Sequence, residues 1–326
     1  MSVGSPLRAR TASGATTTAP RVSDRVAPIG AAFRMTHGRA VATMLAVTLM
    51  WSIAGVVTRR LDAARSFEVT FWRSSFTVLA LALLLPWLRG RAVLVRSLRD
   101  GGKTLWLSGA CWCVMFTAFM IAITLTTVAN VLVTMAIAPL LTALIARVFL
   151  GHRLARRTWV AIAVAGAGIV WMYAREVNGA DPRHLLGTLV ALGVPVAAAI
   201  NWTLIQHTRH AADIDLLPAV LIGALLSALL TLPFALPFAA SAHDLGLLAL
   251  LGVVQLAIPC LMSVAAGRYL SAPEASLLAL LEVIFGVAWV WLGAGEAPAA
   301  HVLVGGALVL AALAANEALA LRATAR

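Results

Sequence analysis

Charge is scarce in this sequence, and so are the residue patterns that build soluble active sites. Charged residues make up 12% of the 326 positions and hydrophobic ones 61%, with a mean hydropathy of +0.94. Soluble globular chains carry about twice that charge, so a water-soluble domain is excluded. Cysteine is limited to Cys111, Cys113 and Cys260, all in apolar runs without neighbouring histidines. A metal site is therefore not expected, and the C-x-C spacing would put Cys111 and Cys113 on different faces of a helix. No H-E-x-x-H, G-x-S-x-G or phosphate-binding G-K-S/T loop occurs, so no catalytic residue is assigned and no cofactor is expected. The glycine-rich VAGAGIV (164–170) and VGGALV (304–309) lack a preceding strand and read as close helix packing. Lysine is represented by Lys103 alone, and the net charge of +12 comes from arginines in short clusters between apolar runs. That pattern is a membrane-topology signal rather than a nucleic-acid surface.

What is abundant is apolar sequence in long blocks. A helix needs about 20 mostly apolar residues to cross about 30 Å of hydrocarbon. Ten windows qualify: 40–58, 69–88, 105–125, 128–150, 158–174, 185–206, 216–238, 245–267, 275–293 and 301–321. None alternates with a period of two, so the expected fold is an all-α integral membrane protein of ten transmembrane helices. Basic residues concentrate on one side of these spans: Arg89, Arg91, Arg96, Arg99 and Lys103, then Arg153, Arg156 and Arg157, with Arg209, Arg268, Arg322, Arg326 and the arginines of the leader. Arg59, Arg60, Arg65, Arg175 and Arg183 are left for the other side. Both termini are therefore predicted to be cytoplasmic. Residues 1–38 read as a disordered cytoplasmic tail without the apolar core of a secretory signal, Met35 being a second candidate start, and 323–326 as a cytoplasmic end.

The halves also resemble each other. ANVLVTMAIAPLLTALIARVFLGHRL (129–154) and EASLLALLEVIFGVAWVWLGAGEAP (274–298) share an offset of 144 residues, counted from Gly151 to Gly295. Five expected spans fit that offset, giving repeats over 39–175 and 184–322. Copies with an odd number of spans must cross the membrane in opposite senses, which predicts an inverted-topology repeat with a solute site between the halves.

MWSIAGVVTRR (50–60), FWRSSF (71–76), TVANVLVTMAIAPLLTALIARVFLGHRL (127–154) and ASLLALLEVIFGVAWVWLGAGE (275–296) occur in this order over residues 40–322. Together they resemble the ten-helix EamA branch of the drug/metabolite transporter superfamily. The resemblance implies a small-solute carrier, often an exporter, of the bacterial inner membrane. Two departures stand out. His152 occupies the place where the family's fourth helix usually carries an acid, and Val283 stands where the ninth often carries proline. The helix break available at Pro139 thus has no proline counterpart in the second half.

Polar groups inside apolar spans mark the candidate pathway, because a charge at the bilayer centre costs roughly 2.5–3.5 kcal/mol on insertion scales. Glu282 lies near the middle of the ninth span. It has two readings: a proton-coupling or solute-binding carboxylate, or a neutral acid bridging helices. Arg73, inside the second span, suits an anionic solute group, an acidic partner, or a side chain that snorkels to the interface. Asn130, Asn201 and Gln255 either line the pathway or bridge helices, and Trp51 and Trp202 either form an aromatic wall or pack. Arg147, His152, Glu296 and Glu317 lie near span ends, where charge is cheap.

The expected function is alternating-access export of a small metabolite, such as an amino acid or related amphipathic solute, with or without a coupled proton. Partners are the solute and the bilayer. One chain holds both halves, so a monomer suffices and a homodimer is the alternative. The competing readings are a membrane-embedded lipid-modifying enzyme using Glu296, His152 and His301, and a non-transporting scaffold or sensor.

Overall fold

The computed structural model describes residues 35–150, scattered helical positions between 156 and 171, 182–208 and 215–324. Among the described residues every regular element is helical. In chain order these are α1 (His37–Ser52), α2 (Ala54–Thr58), α3 (Ser66–Arg89), α4 (Arg91–Asp100), α5 (Gly102–Leu125), α6 (Val128–Met135) and α7 (Ala138–Leu150). After the partly described stretch come α8 (Pro182–Thr208), α9 (Leu217–Ala235), and α10 (Ala242–Leu250), which continues through a π-helical turn (Leu251–Ala257) into α11 (Ile258–Gly267). The last three are α12 (Ala272–Ala279), α13 (Leu281–Ala294) and α14 (Ala300–Thr324).

Among the described residues, eight helical stretches are long and apolar enough to cross a membrane: His37–Thr58, Ser66–Arg89, Gly102–Leu125, Val128–Phe149, Pro182–Thr208, Leu217–Ala235, Ala242–Gly267 and Ala272–Ala294. They match eight of the ten expected windows. The fifth window lies largely outside the described residues, as does His152. The tenth falls within α14, whose described apolar run is the shorter Leu303–Ala312. Most of these helices begin about one turn before the apolar window does. The reason is local: hydropathy marks the hydrocarbon layer, whereas the chain begins to coil at a cap in the polar layer. Thr36 accepts the Arg39 N–H, Thr127 the Asn130 N–H, Ser241 the Asp244 N–H and Ser271 the Glu274 N–H.

Both fourth-helix equivalents are broken. Between α6 and α7 the Ile137 N–H reaches the Thr134 carbonyl and the Leu140 N–H reaches the Ile137 carbonyl, each three residues back. Pro139 supplies no N–H of its own. Between α12 and α13 the Leu280 N–H bonds the Leu277 carbonyl and the Val283 N–H bonds the Leu280 carbonyl. Ala136 and Leu280 are related by the 144-residue offset. The second half therefore interrupts its helix at the equivalent place without a proline, contrary to what Val283 suggested. Tightening to a three-residue step is enough to break the α ladder.

The helix ends meet in two layers. In one, Glu296, just beyond α13, accepts the Val128 N–H at the start of α6 (3.0 Å) and the Arg59 Nε–H (2.6 Å), while Arg59 also donates to the Thr126 carbonyl. Arg60 donates to the Gly293 carbonyl. In the same layer Glu68 accepts the N–H groups of Ala239 and Ala240, and Asp244 accepts those of Asp62, Ala63, Ala64 and Ser241. In the other layer Gln206, near the end of α8, accepts the Ala272 N–H at the start of α12, His37 lies 2.9 Å from Glu274, and Arg89 lies 3.5 Å from Asp215. Thus α6 starts in the layer where α13 finishes.

Small residues permit the close approaches between helices. A side chain on Gly286 would strike Leu132 of α6 at 2.6 Å, and one on Gly55 would strike Val128 at 2.6 Å and Val290 at 2.8 Å. Such contacts hold helices together where apolar burial supplies little drive.

Candidate functional site

A cavity of about 110 Å³ lies about halfway along the helices. Its wall includes Met135 and Ala138, which flank the first helix break, and Ala279, Leu280, Glu282 and Val283 at the second. The breaks thus face the same space.

The structure places Glu282, Arg73, Asn201, Gln255, Trp51 and Trp202 in this wall. Asn130 is not part of it. It is 1% exposed, and its Nδ2 donates to Thr126 Oγ1 at 3.1 Å, one helical turn back, near the start of α6. Pro139 is also absent from the wall, although its neighbour Ala138 contributes.

Arg73 is the largest of the fully buried side chains, at 1% exposure. Its Nη2 donates to the Phe116 carbonyl at 2.9 Å and its Nη1 to Gln255 Oε1 at 3.4 Å. Gln255 Nε2 donates onward to the Trp51 carbonyl at 3.3 Å. Arg73 Nε and the indole N–H of Trp112, another wall residue, are both buried and have no acceptor among the described residues. Gln255 reaches this position through the π-helical turn, whose extra residue per turn swings the side chains relative to an α ladder. The turn itself lies hard against α3. A Cβ on Gly252 would meet the Arg73 carbonyl at 2.7 Å, and Thr77 Oγ1 donates to the Gly252 carbonyl at 3.0 Å.

Glu282 is 8% exposed, and its carboxylate makes no hydrogen bond or ion pair with the described residues. Arg73 and Glu282 act on each other electrostatically across the cavity without direct contact. Arg73, and a carboxylate without a partner among the described residues, thus border a space whose wall is largely aromatic, with Trp51, Trp112, Phe116, Phe119 and Trp202 beside the polar Asn201, Gln255 and Ser276. Such a wall can take a solute that carries opposite charges at one end and an apolar body at the other.

Several wall residues escaped the sequence reading: Trp112, Met115, Phe116, Phe119, Ser276 and Cys260. Their helices are apolar on all sides, so periodicity cannot tell a cavity-facing aromatic from a lipid-facing one. Cys260, read as a packing residue, faces the cavity, while Cys111 and Cys113 are buried elsewhere. Ser108 donates to Asn201 Oδ1 at 2.6 Å, so that amide also bridges α5 and α8. Glu296, assigned to a span end, ties the end of α13 to α2 and α6.

The family model for EamA-like transporters matches residues 38–174 and again 185–316, so two copies of one module make up most of the chain. No curated protein matches the chain in sequence. A solved structure, titled only as the crystal structure of a protein, aligns with a TM-score of 0.60 at 18% identity, over 87% of this chain and 99% of that one. At that identity the likeness concerns the fold.

Proposed function

The chain belongs to the EamA-like transporter family, part of the drug/metabolite transporter superfamily, and from that premise we propose how this multi-pass membrane transporter works. It is a secondary carrier of the bacterial inner membrane, with both termini in the cytoplasm. It exports a small zwitterionic metabolite of the amino-acid type by alternating access between two inverted five-helix halves. The observation that carries this reading is that Arg73 and Glu282, drawn from different repeats, line one cavity together with both helix breaks. In the bound state the solute's carboxylate lies on the Arg73 side of the cavity, its ammonium at Glu282, and its apolar body against Trp51 and Trp202.

The inverted arrangement is supported by the helix ends: α6 begins beside Glu296, at the finish of α13, whereas α12 begins beside Gln206 in the opposite layer. Proton coupling rests on Glu282, the one carboxylate of the cavity wall among the described residues. It takes a proton when the solute leaves and gives it up when an ammonium group arrives.

The test is uptake into proteoliposomes across labelled amino acids, organic acids, nucleosides and amphipathic drugs, with and without an imposed pH gradient. Saturable, gradient-dependent uptake of amino acids is the expected result. Glu282→Gln is expected to retain solute exchange and lose gradient-driven accumulation. Undiminished accumulation in that variant would remove the proton from Glu282, and uptake confined to a nonionic class would remove the zwitterion.

A further inference from the structure

Helix α4 has no assigned role in transport. It is a ten-residue helix, RAVLVRSLRD, inserted between two spans and isolated by glycines on either side. Gly90 has φ +80° and Gly102 φ +57°, backbone shapes that let the chain turn sharply out of α3 and into α5. None of its residues is buried. Leu94, Ser97 and Leu98 are partly covered, whereas Val95 is 63% exposed and Val93 48%. Arg91, Arg96 and Arg99 are exposed, as is Lys103 just beyond. These four cations make no hydrogen bond or ion pair with described residues, and Asp100 is the sole acid of the segment.

Two tryptophans set the depth. Trp87, in the last turn of α3, is 81% exposed, and Trp106, in the first turns of α5, is 55% exposed. Exposed tryptophans at span ends mark the headgroup layer of a bilayer. Helix α4 connects these two ends, so it lies at the same depth. A short helix with unpaired arginines and exposed valines at that depth has the character of a helix lying in the membrane interface.

We propose that α4 is an interfacial helix that binds anionic phospholipid headgroups through Arg91, Arg96, Arg99 and Lys103, with Val95 dipping into the acyl boundary. Charge complementarity selects the partner: unpaired cations held at headgroup depth face phosphate and glycerol-phosphate groups before any soluble acidic protein. The contact ties the α3–α5 corner to the leaflet surface.

The full-length protein carrying Val95→Cys, labelled with an environment-sensitive fluorophore, tests this in nanodiscs. Val95 is exposed, and with Cys111, Cys113 and the cavity-lining Cys260 replaced by serine the label reports on α4. Adding phosphatidylglycerol to phosphatidylcholine nanodiscs is expected to shift the emission to the blue and shield the label from aqueous iodide, and high salt should reverse both effects. Arg96→Gln in the same background should raise the phosphatidylglycerol fraction needed for half the shift by about five-fold, the contribution of one basic residue near an anionic surface. Identical emission in neutral and anionic nanodiscs overturns the proposal. A salt-insensitive shift, or the same shift produced by inorganic phosphate in neutral nanodiscs, also overturns it.

Discussion

Arg73 presents three nitrogens and spends two of them inside the protein, on Phe116 and Gln255. Those bonds hold the guanidinium plane in place at the cavity wall, where the proposed mechanism uses its charge. Arg73→Lys keeps a positive charge but has no planar fork to satisfy a carbonyl and a side-chain amide together. Arg73→Gln removes the charge as well. Hydrogen bonds to charged groups contribute about 1.5–3 kcal/mol, so Arg73→Gln is expected to lower amino-acid uptake per folded transporter by roughly 10- to 100-fold. Arg73→Lys should fall between it and the parent. Equal uptake by all three proteins would place the solute away from Arg73. Glu282 and Arg73 stand out in the sequence because charge is rare at membrane depth. The restraint of Arg73 by Phe116 and Gln255 depends on partners more than 30 residues away along the chain.

At the scale of the helix, the break is the feature to test. Pro139 explains the interruption before α7 by a missing N–H, yet the second half interrupts at Leu280 with Val283 in the corresponding place. Because Val283 lies in the first turn of α13, a proline there would forfeit only its bond to the Leu280 carbonyl. Val283→Pro is therefore expected to cost about 1 kcal/mol, against about 3 kcal/mol or more for proline in a continuous helix. Thermal unfolding in detergent, with Ile284→Pro one residue deeper as a reference, measures the difference. Equal and large losses would mean that the helix is continuous across Leu280. Helix α4 shows another limit of pattern reading: residues 89–103 look like a basic loop until the two flanking glycine turns give it a separate axis.

At the scale of the bundle, the proposed alternating access requires the ties at its ends to open in turn. Glu296 joins α13 to α6 and to Arg59, and under that proposal this tie releases for the solute to pass through that layer. Glu296→Gln weakens a charge-assisted pair, so the population open on that side should rise roughly 10-fold. Cys260 gives a direct readout, since it lines the cavity and Cys111 and Cys113 can be replaced by serine. Faster labelling of Cys260 by a membrane-impermeant maleimide from that side is expected, and an unchanged rate would show that the barrier lies elsewhere.

Hydropathy alone carries much of the architecture. The location of eight spans to within about a turn, the 144-residue repeat and the buried charges are all local properties, because the bilayer imposes one length and one polarity on every crossing segment. The walls of the cavity are not local. Asn130 and Asn201 are alike as amides in apolar helices, yet Asn201 reaches the cavity wall while Asn130 bonds to its own helix start. Trp112 and Trp106 lie six residues apart on one helix, the first 3% and the second 55% exposed. A helix that is apolar all round carries no periodic sign of which side meets lipid and which meets solute. Packing against the other helices chooses between those sides, and with that choice comes the site.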